Sequence, residues 1–542
     1  AVITVNKFSG VSPMTPPRYL GNEAAQTALN CPVWMGSLQP IRGAESKASS
    51  FTKSGDMKSI YRFDQSQTNE LNYWFHWTTD VDVVQGFIAG DTTERTYYTG
   101  DGNPKVTNAT MALTGGGSAY PIASYDIGVP KPTGTFTTAK TGTPNANTTA
   151  ETRVYTFTYV NSWGEESTPY SETNMGPSTE DVYPGESVVV TMPTAPSGSF
   201  NVTKKRIYRS ASGTANTSYF FVAEVPVAQT SYTDSLAGDS LNEVLPSLTW
   251  VQPPSTLKGL VGMPNGVMVG FSGNDVYFSE PFRPFAWPIQ YIQTVGYPIV
   301  GIGVIDTTVV VLTQGRPYFI QGSHPDSSVM VEADVNQACL SKRSIVSMGN
   351  YVFYASPDGL VALSPGGSSV VTQSMFDKYT WQSLNPDNML GCMYENKYVG
   401  FFDTTSGNGG FVYDMTAKTW NFHDIYATGA YNDLKNDALY IIKSNGLWKW
   451  DTGTALSYIW KSKKFTFLEP KSFACYRVQA EAYPVTMKIY RDSSAVVNLS
   501  VTDDALRRLP PGLGTDWEFQ LEGDKEVYNV QLAQTPQELN QG

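Results

Sequence analysis

Histidines, cysteines and paired carboxylates carry most side-chain chemistry, and this chain holds few of them in useful patterns. Its three histidines, His76, His324 and His423, are isolated in sequence. His76 lies in the aromatic run Tyr73-Trp74-Phe75-His76-Trp77, where a half-buried surface histidine is expected rather than a base. Cys31, Cys339, Cys392 and Cys475 are far apart and form no CxxC spacing, so they read as small buried apolar residues and not as metal ligands or a disulfide framework. The acid pairs Asp80/Asp82, Glu165/Glu166 and Asp503/Asp504 offer the two carboxylates that glycoside hydrolysis needs, roughly 5 to 10 Å apart. Spacing in sequence does not set that distance, and Glu165-Glu166 fall in a turn where solvated side chains are expected. Asp101-Gly102-Asn103 supplies oxygens for calcium, but a full loop of alternating ligands is missing. Trp448 and Trp450 could stack on sugars; at alternate positions they are expected to pack on one face of a strand. HExxH, P-loop, GxSxG and dinucleotide-type glycine patterns are all absent. No residue is therefore assigned a catalytic, cofactor-binding or metal-binding role, and the chain reads as non-enzymatic.

The elements that would position such residues are strands. Charged residues make up only 16% of the 542, against a usual value of about 25%, while 47 Gly and 34 Pro supply turns. Thr, Val, Tyr, Phe and Trp suit a pleated, half-buried surface, so the class expected is all-β. The net charge of -12 argues against a protein that coats nucleic acid, which needs excess Lys and Arg to neutralise phosphates; it does not exclude DNA as cargo. No apolar run approaches the roughly 18 residues of a membrane span and no signal-peptide pattern is seen, so a soluble chain made in a reducing cytoplasm is expected.

At about 150 residues per domain the length allows three or four domains. Residues 1–129 begin with a proline-rich arm, in which Asn22 to Leu29 could form a short helix. Strands such as Ser59–Phe63 and Arg95–Thr99 follow at spacings of about ten residues. Pro130 to Thr149 reads as a surface linker. With the strands Arg153–Val160, Ser187–Thr191, Lys205–Ser210 and Tyr219–Ala223, residues 130–245 fit an inserted immunoglobulin- or fibronectin-like sandwich. Residues 246–456 repeat a strand-turn-strand unit, for example Tyr351–Tyr354 with Leu360–Leu363 and Ala438–Ile442 with Leu447–Trp450. That is how β-propeller blades look from sequence. Residues 457–542 form a further β unit that closes or flanks the propeller.

Several stretches carry a family likeness. Phe8-Ser9-Gly10 with Pro13 and Pro17, Ala25-Gln26-Thr27-Ala28-Leu29-Asn30-Cys31 and Gly36-Ser37-Leu38-Gln39-Pro40 open the chain. Further along come Arg95–Thr107, Gly262–Gly266, Tyr277–Pro288, and Arg508-Leu509-Pro510-Pro511-Gly512 leading to Trp517. In these the chain resembles the tail nozzle proteins of short-tailed bacteriophages over nearly its whole length, interrupted by the sandwich. The resemblance implies a virion protein assembled in the bacterial host cytoplasm. It implies a homo-oligomeric ring, a hexamer, below a head-to-tail adaptor protein and in contact with tail fibres or other tail proteins. Such a ring surrounds the channel through which the phage genomic DNA passes, retains the packaged genome and opens for ejection. The alternative is a carbohydrate- or receptor-binding β-propeller tail component.

Overall fold

The computed structural model describes residues 1–33, 35–47, 51–63, 69–171, 178–210, 218–241 and 243–540. The protein is all-β. Its many small sheets hold nearly every regular residue, and the α-helices among the described residues, Ala109–Leu113 and Lys378–Gln382, have five residues each. The chain divides into two compact units, residues 1–80, 300–319 and 331–542 in the first, and 81–299 with 320–330 in the second.

In the first unit the alternating segments form antiparallel meanders with polar turns. Val346–Met348, Tyr351–Ala355, Leu360–Ser364 and Gly367–Val370 make one four-stranded, blade-like sheet. Leu390–Tyr394, Lys397–Thr404, Gly407–Asp414 and Thr419–His423 make the next. Gly429–Asp433, Ala438–Lys443 and Gly446–Lys449 form a third, completed by Glu45–Ser46 from the N-terminal arm. Apolar side chains of adjacent sheets pack face to face: Val399, Phe401 and Val412 cluster with Leu439, Ile441 and Trp450. This is the stacking of propeller blades, with an arm strand finishing a blade that the preceding hairpin began.

The stretch expected to be helical is a strand. Ala25–Leu29 runs antiparallel to Tyr458–Ser462 and meets the Thr419–His423 strand in parallel through Leu29 and Phe422. Asn-Glu-Ala-Ala-Gln has good helix propensity, but pairing on both sides satisfies its backbone groups and overrides a preference worth less than about 1 kcal/mol per residue. The alanines matter, since Ala25 and Ala28 are buried in a cluster crowded by Trp420, Trp460 and Phe8. Phe8 meets Trp460 edge-on with centroids 4.9 Å apart, and Phe411 stacks on Trp420 at 3.9 Å. Beyond Tyr458–Ser462 the same sheet continues through Gly514–Gly523 and Val485–Arg491 to Ser494–Val501. Val2–Val5 pairs separately with Val527–Ala533.

The second unit contains the sandwich. One sheet is Thr137–Gly142, Glu186–Thr191 and Ser231–Asp234; the other is Thr179–Val182, Glu151–Asn161, Val202–Ser210 and Tyr219–Pro226. Between them lie Phe136, Tyr155, Phe157, Val188, Val190 and Ile207. Part of the supposed linker is thus a strand: Thr137–Gly142 pairs at six positions with Glu186–Thr191. Its Thr, Ala, Lys and Gly side chains are largely exposed, so composition alone resembled a loop. The rest of the unit is two more meanders, Asp82–Gln85 to Tyr125–Asp126 and Lys258–Gly262 to Gln293–Thr294, joined by a core that includes Tyr97, Val106, Leu260, Met268 and Trp287.

The sandwich buries one full ion pair. Arg209 and Asp234 are both fully inaccessible; Tyr155 donates its hydroxyl to Asp234 at 2.7 Å, and an Arg153 nitrogen lies 3.8 Å away. A buried arginine left without its carboxylate keeps its desolvation cost and loses the compensating attraction. Asp234→Asn should therefore destabilise the protein by about 3 to 5 kcal/mol, read as a lowered urea midpoint for the sandwich with an unchanged slope.

Candidate functional site

The residues singled out for chemistry are dispersed, and most have structural partners. His76 is buried, not half-exposed: its Nδ1 donates to the Trp74 carbonyl at 3.0 Å, and Nε2 accepts the Lys53 N–H at 3.3 Å. Burial lowers its pKa, so it is held neutral as an anchor for the Phe51–Lys53 loop, stacked on Phe51. His423 is fully buried beside Phe401 and Trp450, with Nδ1 donating to the Ile425 carbonyl at 3.0 Å, and burial pushes it down to about 4. The room for its ring exists because residue 410 is glycine; a Cβ there would stand 2.0 Å from His423 Cε1. His324 caps a short turn through the Asp326 N–H. All four cysteines are buried, and burial raises their thiols, which keeps them unreactive.

The members of the carboxylate pairs each have partners of their own. Asp80 faces Lys342 at 2.8 Å, while Asp82 accepts the Gly259 N–H at 3.1 Å. Asp503 pairs with Arg507 at 2.9 Å, and Asp504 with Arg477 at 2.8 Å. The expectation of solvated side chains at Glu165 and Glu166 is corrected: both are buried. Glu165 accepts from Asn161 at 2.7 Å and Arg95 at 3.1 Å; Glu166 accepts from Thr158, Tyr208 and Arg206. Burial raises the Glu165 carboxyl, against the pull of Asn161 and Arg95. The turn is folded back on its own strand, so its acids point inward to arginines that no local pattern reveals. At the calcium candidate, Asp101 is engaged by Lys105 at 2.8 Å, and Asn103 turns its amide nitrogen to Asp126 at 3.1 Å. Trp450 packs in the blade core, while Trp448 lies under the Lys443 ammonium at 4.9 Å.

One convergence escaped the sequence reading. Glu70 accepts from Tyr440 at 2.7 Å and Lys449 at 3.0 Å, with Lys47 at 3.2 Å. It thereby ties the segment after Arg62 to the blade that Glu45–Ser46 completes. Its partners lie up to some 380 positions away in sequence, so spacing carries no trace of it.

One exposed sheet edge stands out among the described residues. Ser494–Val501 (Ser-Ala-Val-Val-Asn-Leu-Ser-Val) ends the long sheet, pairing only with Val485–Arg491 among the described strands. Asp492 and Ser493, both at positive φ, form the tight turn between them. The Asp492 carboxylate accepts the N–H groups of Asp516 and Thr515 at 2.9 and 3.0 Å, which lowers its pKa and fastens the hairpin to the neighbouring strand. The edge holds no charge and no proline, the devices that normally blunt such edges. Leu499 on it is exposed, as are Leu506 and Leu513 nearby in the chain. Leu468 is wholly exposed in the bulge of Phe465–Lys471, opposite Gly514 to Asp516.

No protein-family model matches the chain, and no curated protein matches it. Solved structures do show likeness to it. BBS1N in complex with ARL6DN is 13% identical over 49% of this chain and 86% of its own, with a TM-score of 0.25. The N-terminal domain of Nup159 is 8% identical over 59% and 86%, at 0.23. PorZ of Porphyromonas gingivalis, a component of a type-IX secretion system, is 10% identical over 89% and 82%, at 0.25. None of these likenesses bears on function.

For Glu70, burial alone would raise the carboxyl, but the hydrogen bonds from Tyr440, Lys449 and Lys47 outweigh it and bring it down to about 2. A depressed folded-state pKa stabilises the fold above the ordinary glutamate value, and that contribution fades as pH falls towards 2. Glu70→Gln should be less stable than the parent at pH 7. The gap should close between pH 4.5 and 2 in denaturant titrations.

Proposed function

We propose that this protein is a structural subunit of the tail nozzle of a short-tailed bacteriophage. Copies of it form a ring, a hexamer, around the DNA exit channel, below a head-to-tail adaptor protein and in contact with tail fibres or other tail proteins. The ring retains the packaged genome and opens for ejection, and the protein works as a non-enzymatic part of the virion. The observation that carries the reading is the uncharged free edge Ser494–Val501 beside exposed leucines. A monomer that left such an edge bare would be prone to pair with other chains, whereas a subunit of a closed ring covers it.

Three features support it. The likeness to nozzle proteins runs over nearly the whole chain outside the sandwich, and two of the stretches that carry it, the arm and the segment from Arg508 to Trp517, supply strands to the sheet that bears this edge. Blade-like meanders with interlocked aromatics make the rigid blocks from which a ring wall is tiled. The net charge of -12 suits a wall past which DNA must slide without being held.

Electron microscopy of tails from particles that carry this chain should show a sixfold ring. Leu499→Lys should prevent ring assembly, measured by mass photometry and particle imaging, while leaving the melting temperature of the subunit unchanged. Failure to detect the chain by mass spectrometry in purified particles produced from the genome that encodes it would overturn the reading.

A further inference from the structure

Within the first unit, a cleft of about 430 Å³ opens between the arm, the Leu390–Lys397 hairpin and the Asp524–Glu526 loop. Its size lies within the range of about 300–1,000 Å³ usual for small-molecule sites. Pro32, Pro40, Ile41, Val399 and Val412 give it apolar lining, Tyr394 gives it an aromatic ring, and the buried Trp450 reaches it with little exposed surface. Trp450 is held rigid from behind by Phe401 and His423, with ring centroids 6.0 and 5.0 Å away.

The charged groups of the rim fall into two sets. Asp524 is matched by Lys525 at 3.3 Å, Lys397 by Glu395 at 3.3 Å, and Glu526 by the Gln39 amide at 2.9 Å. Four other groups have side-chain capacity to spare. Among the described residues, the Arg42 guanidinium, the Glu481 carboxylate and the Tyr394 hydroxyl make no side-chain hydrogen bond or ion pair. The Asp451 carboxylate meets the Arg42 backbone N–H and is attracted by the Arg42 and Lys397 charges, but no side chain hydrogen-bonds it among the described residues. Asp451 is moreover held at φ 59°, a left-handed backbone that a non-glycine residue adopts at a cost, and one that turns up where a side chain must be aimed.

The demands on a ligand follow from this inventory. Carboxylates only accept, guanidinium only donates and a phenol does both, so an occupant must donate and accept within a few ångströms while laying an apolar face on the aromatic ring. Four acids against three bases in the lining leave no strong preference for an anion or a cation. A pyranose ring has a C–H face and a rim of hydroxyls that both donate and accept, and it meets every one of these demands at once.

We propose that this cleft binds a neutral hexose unit, one face against Tyr394 and its hydroxyls on Asp451, Arg42 and Glu481; that the hexose belongs to a bacterial surface glycan rests on the role proposed above. This goes beyond the assembly role and rests on residues apart from the free edge, so either can fail without the other. Burial raises the Asp451 carboxyl, with Glu395 adding to the rise, so a hydroxyl donor relieves its surroundings better than a bulky anion would.

The test uses the full chain on an array of bacterial capsule and lipopolysaccharide oligosaccharides, followed by titration of the methyl glycosides of glucose, galactose and N-acetylglucosamine against tryptophan fluorescence. At least one glycan should be retained, and a glycoside should saturate the signal. Asp451→Asn, which tolerates a left-handed backbone, and Tyr394→Phe should each weaken binding by about tenfold or more. Both should melt as the parent does, and Leu499→Lys should bind as the parent does. Retention of no glycan, binding by both cleft variants as tight as the parent's, or capture of peptides from a random peptide array in place of glycans would each overturn the proposal.

Discussion

The hydrogen-bonding needs of one short strand organise the first unit. Ala25–Leu29 arrives from a proline-rich arm with its backbone groups unpaired, and it finds partners on both sides, the Thr419–His423 strand and the Tyr458–Ser462 strand. Without it, a blade sheet and the C-terminal sheet would each end in a bare edge over a core of Trp420, Trp460 and Phe8. With it they are one continuous sheet. A buried backbone group without a partner is costly, so the arm is an integral structural part and not a tether. The Glu45–Ser46 pairing repeats the device further along the arm, where arm residues complete a blade.

The same economy governs charge. Few charged residues are present, and many of those inside are locked in pairs or clusters: Arg62 with Asp433 at 2.7 Å, Arg209 with Asp234, Glu70 with two lysines and a tyrosine. Such pairs contribute modest net stability, but breaking one leaves an uncompensated charge, so they define which strands belong together. Polar groups with capacity to spare also occur at the free edge and in the cleft. These two places, one made of backbone and the other of side chains, carry the functional reading.

Much of the secondary structure was legible residue by residue. Tyr351–Ala355 and Leu360–Ser364 lie where alternation and the Pro-Asp-Gly turn put them, as do the hairpins at 397–414 and 438–449. Both elements that were misread lack a strong local signal. Thr137–Gly142 is a half-exposed strand with the composition of a loop, and Ala25–Leu29 has helix-forming residues whose pairing partners lie about 400 positions away. A turn position predicts solvated side chains for Glu165 and Glu166, because turns usually face water. Their burial goes with Arg95, from the loop before Thr96–Thr99, and Arg206, from the strand Val202–Ser210.

By itself, then, the sequence determined the all-β class, the sandwich of two apolar-faced sheets and the run of hairpins. Those properties depend on period-two alternation and turn residues, which act within about ten positions. The tertiary structure alone decided which edge is completed by the arm and which is left open. It also decided which acids are neutralised, and that Arg42, Tyr394, Asp451 and Glu481 line one cleft. These outcomes rest on contacts between residues tens to hundreds of positions apart, whose pairing is chosen by burial and hydrogen-bond satisfaction of the whole unit. No local pattern encodes such a choice.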